Sequence, residues 1–136
     1  MSFETEITIA FGDTDPAGLV YFPNILHYCH IAMERFFLES CGINYSLLIR
    51  DQNVGFPTVK SDSEFLIPIV YGDTIIVQVQ VLKLGTSSVQ FQYLIRRMSD
   101  SAECARIRQV HVAMNLSTRR SIPISREIRH CIETHL

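Results

Sequence analysis

The sequence predicts an α+β domain in which one long apolar helix packs against an antiparallel sheet. Three observations carry that reading. A 3.6-residue apolar period runs from about Asn24 to Ser40. Alternating strands follow it, with turn residues every ten or so positions, the spacing of hairpin-linked neighbours rather than parallel crossovers. No repeat, linker or low-complexity tract interrupts the 136 residues, so 1–136 is expected to be one domain with its own core.

The elements follow in order. Glu4 to Phe11 sets polar Glu4, Glu6 and Thr8 among apolar Ile7, Ile9 and Phe11, a half-buried strand. Pro23 suits the first turn of a helix, where its missing N–H costs nothing. Leu26, Cys29, Met33 and Phe37 form one stripe of that helix, and Ile25, Tyr28, Ala32 and Phe36 widen it. Polar Glu34, Arg35 and Glu39 cover a small arc, so the helix is expected to be buried on most sides. Gly42 is a helix stop, and Tyr45 to Arg50 adds a short second helix. Pro57 to Phe65 is a short, polar-interrupted strand. Thr74 to Leu84 alternates Ile75, Val77, Val79 and Val81 with polar residues. Gly85-Thr86-Ser87 turns it into Val89, Phe91, Tyr93 and Ile95, and Met98–Glu103 turns again into a last long strand, Cys104 to Leu116. The order β-α-β-β-β-β reads as an antiparallel meander.

Composition narrows the function. Apolar residues make up 47% and charged residues 19%, which argues against disorder. A net charge of −2 with no basic block gives no nucleic-acid footprint. The apolar runs are too short to span a bilayer, and Met-Ser-Phe-Glu-Thr-Glu lacks the basic and apolar regions of a signal peptide. The expectation is a cytoplasmic protein with no membrane partner. The four cysteines and five histidines show no ligand spacing, so no metal and no cofactor is expected, and the cysteines read as small core hydrophobes.

Chemistry concentrates in Phe-Gly-Asp-Thr-Asp-Pro-Ala-Gly-Leu-Val-Tyr-Phe-Pro-Asn, residues 11–24. Asp, Pro and Gly are also what an ordinary turn uses. Here, however, the loop holds Asp13 and Asp15 just before a helix start, whose free N–H groups and positive dipole end favour an oxygen carrying negative charge. A carboxylate beside such a site is a layout for acyl transfer.

The fourteen-residue string resembles the signature of the 4-hydroxybenzoyl-CoA thioesterase family of hot-dog folds, and the likeness continues through Gly55-Phe56-Pro57 and Tyr71-Gly72-Asp73. The resemblance implies a five-stranded antiparallel sheet wrapped around one long helix, and hydrolysis of an acyl-CoA thioester. It makes Asp15 the catalytic residue, attacking the carbonyl to form a mixed anhydride or deprotonating water. It gives the backbone N–H of Phe22 the task of polarising the carbonyl. Gly18, Val20 and Tyr21 become candidate substrate contacts, with Gly18 also permitting an unusual backbone angle. Asp13 is expected to hold the loop by accepting from its N–H groups.

His30 and Glu34, four apart on one helix face, are further candidates. His30 matches the position where 4-hydroxybenzoyl-specific members carry an aspartate that binds the phenol. The run Cys-His-Ile-Ala-Met-Glu at 29–34 is similar to one in the 1,4-dihydroxy-2-naphthoyl-CoA thioesterases. An aromatic or otherwise compact acyl group is implied; the bland alternative is a satisfied helix histidine. Phe22 stands where the short-chain, Tol-Pal-associated branch carries a histidine. Gly85 and Thr86 stand where two arginines meet the CoA phosphates in the 4-hydroxybenzoyl enzyme, leaving Lys60, Lys83, Arg96 and Arg97 as candidate cations. The carrier is therefore CoA or acyl carrier protein. A short-chain acyl-CoA thioesterase and a non-catalytic acyl-binding module are the competing readings.

A lone five-stranded sheet exposes edges that aggregate unless covered. The resemblance implies a homodimer with a continuous sheet, often paired again into a homotetramer. The strand from Pro57 to Phe65 is the expected seam, with Thr58, Val59 and Lys60 of one chain facing the Asp15 loop of the other and lining the acyl or pantetheine path.

Overall fold

The computed structural model describes residues 2–136. Strand β1 (Phe3–Thr8) leads through a 3-10 turn (Phe11–Asp13) and the Asp15 loop into helix α1 (Pro23–Cys41). Helix α2 (Tyr45–Gln52) and the two-residue strand β2 (Val54–Gly55) follow. Then come β3 (Thr58–Phe65), β4 (Thr74–Leu84), β5 (Ser88–Arg97) and β6 (Glu103–Val112). The chain closes with β7 (Met114–Asn115), β8 (Arg120–Ser121) and helix α3 (Arg126–Glu133).

The main sheet is antiparallel with order β1-β4-β5-β6-β3 around α1, the hot-dog arrangement. Only β4, β5 and β6 run as the expected meander. β3 crosses to the far edge and pairs β6, because β1 already occupies the free side of β4. The crossover, with Pro68 and Gly72, is pinned where Leu66 N–H and Ile67 N–H both donate to Cys104 C=O.

Strand alternation builds the core. Ile75, Val77, Val79 and Val81 of β4 face inward with Val89, Phe91, Tyr93 and Ile95 of β5. They meet Ile25, Tyr28, Cys29, Ala32, Met33, Phe36 and Phe37 of α1. The helix is buried on one broad face rather than on most sides, since His27, His30, Leu38 and Glu39 are exposed. Gly42 ends it at φ 67°, the left-handed cap that glycine adopts without strain. Asn44 caps α2 by accepting from Leu47 N–H at 3.2 Å.

Three expectations are corrected and one element is added. Phe11 is not a strand residue facing the core: it lies in the 3-10 turn, 74% exposed, edge-on to Tyr71. The last strand stops at Val112, and β7 joins β2 and β8 in a separate three-stranded sheet. The tail is helical: Ser125 caps α3, and Ile128 and Ile132, one turn apart, enter the core. Cys41 and Cys131, 90 residues apart, form a disulfide joining the end of α1 to α3, whereas Cys29 and Cys104 are the buried core hydrophobes expected. Among the described residues no helix is long and apolar enough to cross a membrane.

Candidate active site

The loop is built as a miniature hairpin. Thr14 bridges Val20, Asp15 N–H donates to Leu19 C=O, and Gly18 at φ 81° closes the turn that a β-carbon would strain. Val20 N–H donates to Ile69 C=O, tying the hairpin to the β3–β4 crossover. Asp13 is the anchor. Its Oδ2 accepts from Ala10 N–H at 3.1 Å and from the Tyr28 hydroxyl at 2.9 Å, and its C=O accepts from Tyr21 N–H and the Asn24 side chain. Burial, together with the Asp13 carboxylate, pushes the Tyr28 phenol well above its ordinary range, so it stays a hydroxyl donor. Sequence reasoning missed Tyr28 as part of the site. The available signal was a buried tyrosine one turn beyond Asn24, whose hydroxyl had to find a partner.

Asp15 is half-buried. Its Oδ1 accepts from Ala17 N–H at 2.9 Å and, more weakly, from Leu19 N–H at 3.4 Å. Its Oδ2 accepts nothing among the described residues. One oxygen orients the group and the other is open for chemistry.

Phe22 is the N-cap of α1, with Pro23 at the first helical position. Asn24 N–H and Ile25 N–H bend back to Tyr21 and Phe22 C=O, while Phe22 N–H has no partner among the described residues. A free carboxylate oxygen and a free helix-start N–H thus share one short loop, which can supply a base or nucleophile and a donor for a developing oxyanion. Beside them lies an apolar groove of about 280 Å³ lined by Leu19, Val20, Phe22, Ile25, Phe65 and Cys104. The Phe22 ring meets Phe65 at 5.7 Å. Tyr21 and Phe22 are both exposed beside the loop.

A second cluster forms away from the loop. His30 is exposed, 3.8 Å from Glu34 and edge-on to Tyr45. Tyr45 accepts from Phe56 N–H at 2.8 Å, and burial raises its phenol pKa. His111 is buried, with Nε2 2.9 Å from the Tyr93 hydroxyl and Nδ1 3.2 Å from Thr58 Oγ1. Burial, and then the nearby His30, lower its pKa to about 4, so it is neutral at pH 7.

The structure therefore gathers Gly18, Val20, Tyr21 and Phe22 around Asp15, but not the remaining candidates. At about 1.5 Å per helical residue, His30 lies about 12 Å beyond Phe22. Phe65 ends β3 at the loop, and at about 3.3 Å per residue Thr58, Val59 and Lys60 begin it about 16–23 Å away. Among the candidate cations, Arg96 is paired with Glu4 at 2.6 Å and Arg97 with Asp100 at 2.7 Å. Gly85 and Thr86 are held by Arg129 of α3, which donates to both carbonyls.

Comparison with known proteins places the fold in a family. Residues 9–132 match the model of the thioesterase-like superfamily. A 1,4-dihydroxy-2-naphthoyl-CoA hydrolase of Rippkaea orientalis is 34% identical over 128 residues, covering 93% of this chain and 92% of the relative. Its counterpart in Nostoc punctiforme is 33% identical over 135 residues, 99% of this chain and 89% of the relative. A solved 1,4-dihydroxy-2-naphthoyl-CoA thioesterase from Synechocystis superposes with a TM-score of 0.87 at 26% identity, over 97% of this chain and 96% of that one. The gentisyl-coenzyme A thioesterase BH1999, at 24% identity and a TM-score of 0.85 over 96% of this chain and 99% of its own, shares the fold. With an open carboxylate at a helix start, a hot-dog sheet and relatives matched along nearly their whole length, the chain belongs to the thioesterase-like superfamily and is an acyl-CoA thioester hydrolase.

Proposed function

We propose that this enzyme hydrolyses 1,4-dihydroxy-2-naphthoyl-CoA or a closely similar aromatic acyl-CoA, with Asp15 as the catalytic carboxylate. The observation that carries the mechanism is the division of labour on Asp15: Oδ1 is held by loop N–H groups while Oδ2 is open. Oδ2 attacks the thioester carbonyl or takes a proton from attacking water, and the Phe22 N–H receives the charge that builds on the carbonyl oxygen. The departing thiolate needs little protonation, since a free thiol ionises at about 8.5. The narrower kinship with 4-hydroxybenzoyl-CoA thioesterases rests on the loop motif and the shorter likenesses at 55–57 and 71–73 alone.

Substrate choice rests on the relatives and on the His30–Glu34 pair. A groove of about 280 Å³ is at the small end of ligand sites and suits a compact aromatic group better than a long chain. His30 is too far along α1 to meet a ring held at its own Asp15. It does lie near His111, which bonds Thr58 at the start of β3. In a homodimer joined along β3, the Thr58 end of one chain reaches the loop end of the other, and the His30 that meets the ring is the partner's. Thr58, Val59 and Lys60 then line the acyl or pantetheine path. A cytoplasmic location fits a CoA thioester substrate.

The test is steady-state hydrolysis of naphthoyl, benzoyl and short aliphatic acyl-CoAs, with one acyl-carrier-protein thioester to decide the carrier. Asp15→Asn should fold normally and lose at least about 100-fold in kcat on the best substrate. Wild-type rates from that variant would remove Asp15 from the chemistry, and a preference for aliphatic groups would remove the proposed substrate.

A further inference from the structure

We infer that Tyr93 and His111 are positioning residues that fix the Thr58 hydroxyl as an outward hydrogen-bond donor, and that this donor reads a ring oxygen of the acyl group. The contact with the ring rests on the proposed placing of Thr58 along the acyl path. The direction of the hydrogen bonds does not.

That direction follows from the protons along a three-residue chain. Tyr93 of β5, His111 of β6 and Thr58 of β3 span three neighbouring strands, with Thr58 opposite His111 in the ladder. The Tyr93 hydroxyl lies 2.9 Å from Nε2 of His111, and Thr58 Oγ1 lies 3.2 Å from Nδ1. Tyr93 and His111 are buried, whereas Thr58 is exposed. Burial pushes the Tyr93 phenol well above its ordinary range and keeps the His111 ring neutral at pH 7. A neutral imidazole has one N–H and one acceptor nitrogen, so two arrangements are open.

With the proton on Nε2, the ring donates to the Tyr93 oxygen, and the Tyr93 O–H needs another acceptor inside the core. Among the described residues it has none, and a buried donor left unpaired is costly. With the proton on Nδ1, Tyr93 O–H donates to Nε2, Nδ1–H donates to Thr58 Oγ1, and every buried proton is paired. The Phe56 C=O, just before β3, is a further acceptor for a ring N–H and strengthens the second arrangement. The second arrangement wins.

Thr58 Oγ1 then accepts from the ring and cannot donate back to it. No other acceptor for its proton is present among the described residues. The hydroxyl stands at the exposed start of β3, so the proton is offered to whatever covers that end of the strand. The surroundings suit a hydroxylated aromatic ring. Phe56 N–H donates to the Tyr45 hydroxyl, the Tyr45 ring is edge-on to exposed His30, and His30 is 3.8 Å from Glu34. An unrestrained threonine hydroxyl turns to donate or to accept. The buried pair removes that choice, and a group fixed as a donor favours a ring that carries an oxygen over the same ring without one.

Two measurements on the full-length protein test this. Long-range nitrogen–proton correlation spectra of histidine-labelled wild type at pH 7, with His111→Asn assigning the signal, read the proton on the ring directly. Nδ1–H is expected, and Nε2–H overturns the inference whatever the substrate is. Steady-state hydrolysis of 1,4-dihydroxy-2-naphthoyl-CoA and of 2-naphthoyl-CoA then reads the contact. Thr58→Val should lower kcat/KM about tenfold more on the dihydroxy substrate than on the bare ring, while Thr58→Ser keeps the wild-type ratio. Tyr93→Phe, which frees the ring to accept from Thr58, should move the ratio in the same direction as Thr58→Val. A merely structural role lowers both substrates alike, so equal losses in Thr58→Val overturn the ring contact. Wild type that hydrolyses neither naphthoyl thioester removes the proposed substrate and the ring contact together, and the Nδ1–H signal then still upholds the fixed donor.

Discussion

Lowering the pH from 7 to about 4.5 should destabilise this protein through His111. The side chain is 1% exposed, locked between the Tyr93 hydroxyl and Thr58 Oγ1, and its pKa is lowered from 6.5 to about 4, first by burial and then by His30. In the unfolded chain the same imidazole titrates near 6.5. Above that pH neither state holds the proton and the neutral ring contributes fully. Between about 6.5 and 4 the unfolded state binds one proton more than the folded state, so stability falls as pH falls, and below about 4 the loss levels off. Two and a half pH units correspond to about 3 kcal/mol, a large part of a small domain's stability. Urea denaturation of wild type and His111→Asn at pH 7 and pH 4.5 isolates the effect, because carboxylates that titrate in the same range are common to both. The variant starts less stable but should lose about 2–3 kcal/mol less on acidification. Equal losses in the two proteins would show that His111 is not buried neutral in the fold.

Three further outcomes are expected. Tyr28→Phe removes the hydroxyl donated to Asp13 Oδ2, a charge-assisted bond, and should cost about 1–3 kcal/mol in thermal unfolding while lowering kcat through a looser loop. His30→Ala should shift the ratio of kcat/KM between two acyl-CoAs more than it lowers either alone, whereas an equal fall for both would mark a general role. Cys131→Ser opens the covalent loop between α1 and α3, closed over a sequence separation of 90, and chain entropy gives a loss of about 4.6 kcal/mol, read as a lower urea midpoint that reductant reproduces in wild type.

The parts legible in the sequence are those whose physics is local. β4 and β5 alternate every second residue because one face meets α1, and α1 shows its apolar stripe because it meets them in turn. The loop was legible because Asp, Pro and Gly at fixed offsets constrain backbone and chemistry together. What stayed hidden depends on contacts distant along the chain. Nothing local tells β3 to cross to β6, since its composition suits an edge beside β4 equally well. The 90 residues between Cys41 and Cys131 carry no spacing that marks a pair. His111 reads as a lone strand histidine until Tyr93 and Thr58 are brought to its two nitrogens. Helix α3 was within reach, since Ser125 with Ile128 and Ile132 is a capped amphipathic turn.

The candidate residues separate by position, and that separation bears on the mechanism. Asp15, Phe22 and Phe65 mark one end of β3, while Thr58, His111, Tyr45 and His30 mark the other. A strand of eight residues is too stiff and too long to bring its own ends together, so within one chain Asp15 and His30 do not meet. A two-fold axis at the middle of that strand would superimpose one end on the other. In the homodimer proposed for the site, acyl preference and rate are set by different chains. Mixing Asp15→Asn and His30→Ala homodimers should then produce heterodimers in which one site carries both defects and the other carries neither. After random exchange about a quarter of all sites should be intact, and the acyl preference of the mixture should move from that of His30→Ala toward wild type. A mixture that keeps the acyl preference of the His30→Ala parent would place both residues in the same chain's site and refute the shared arrangement.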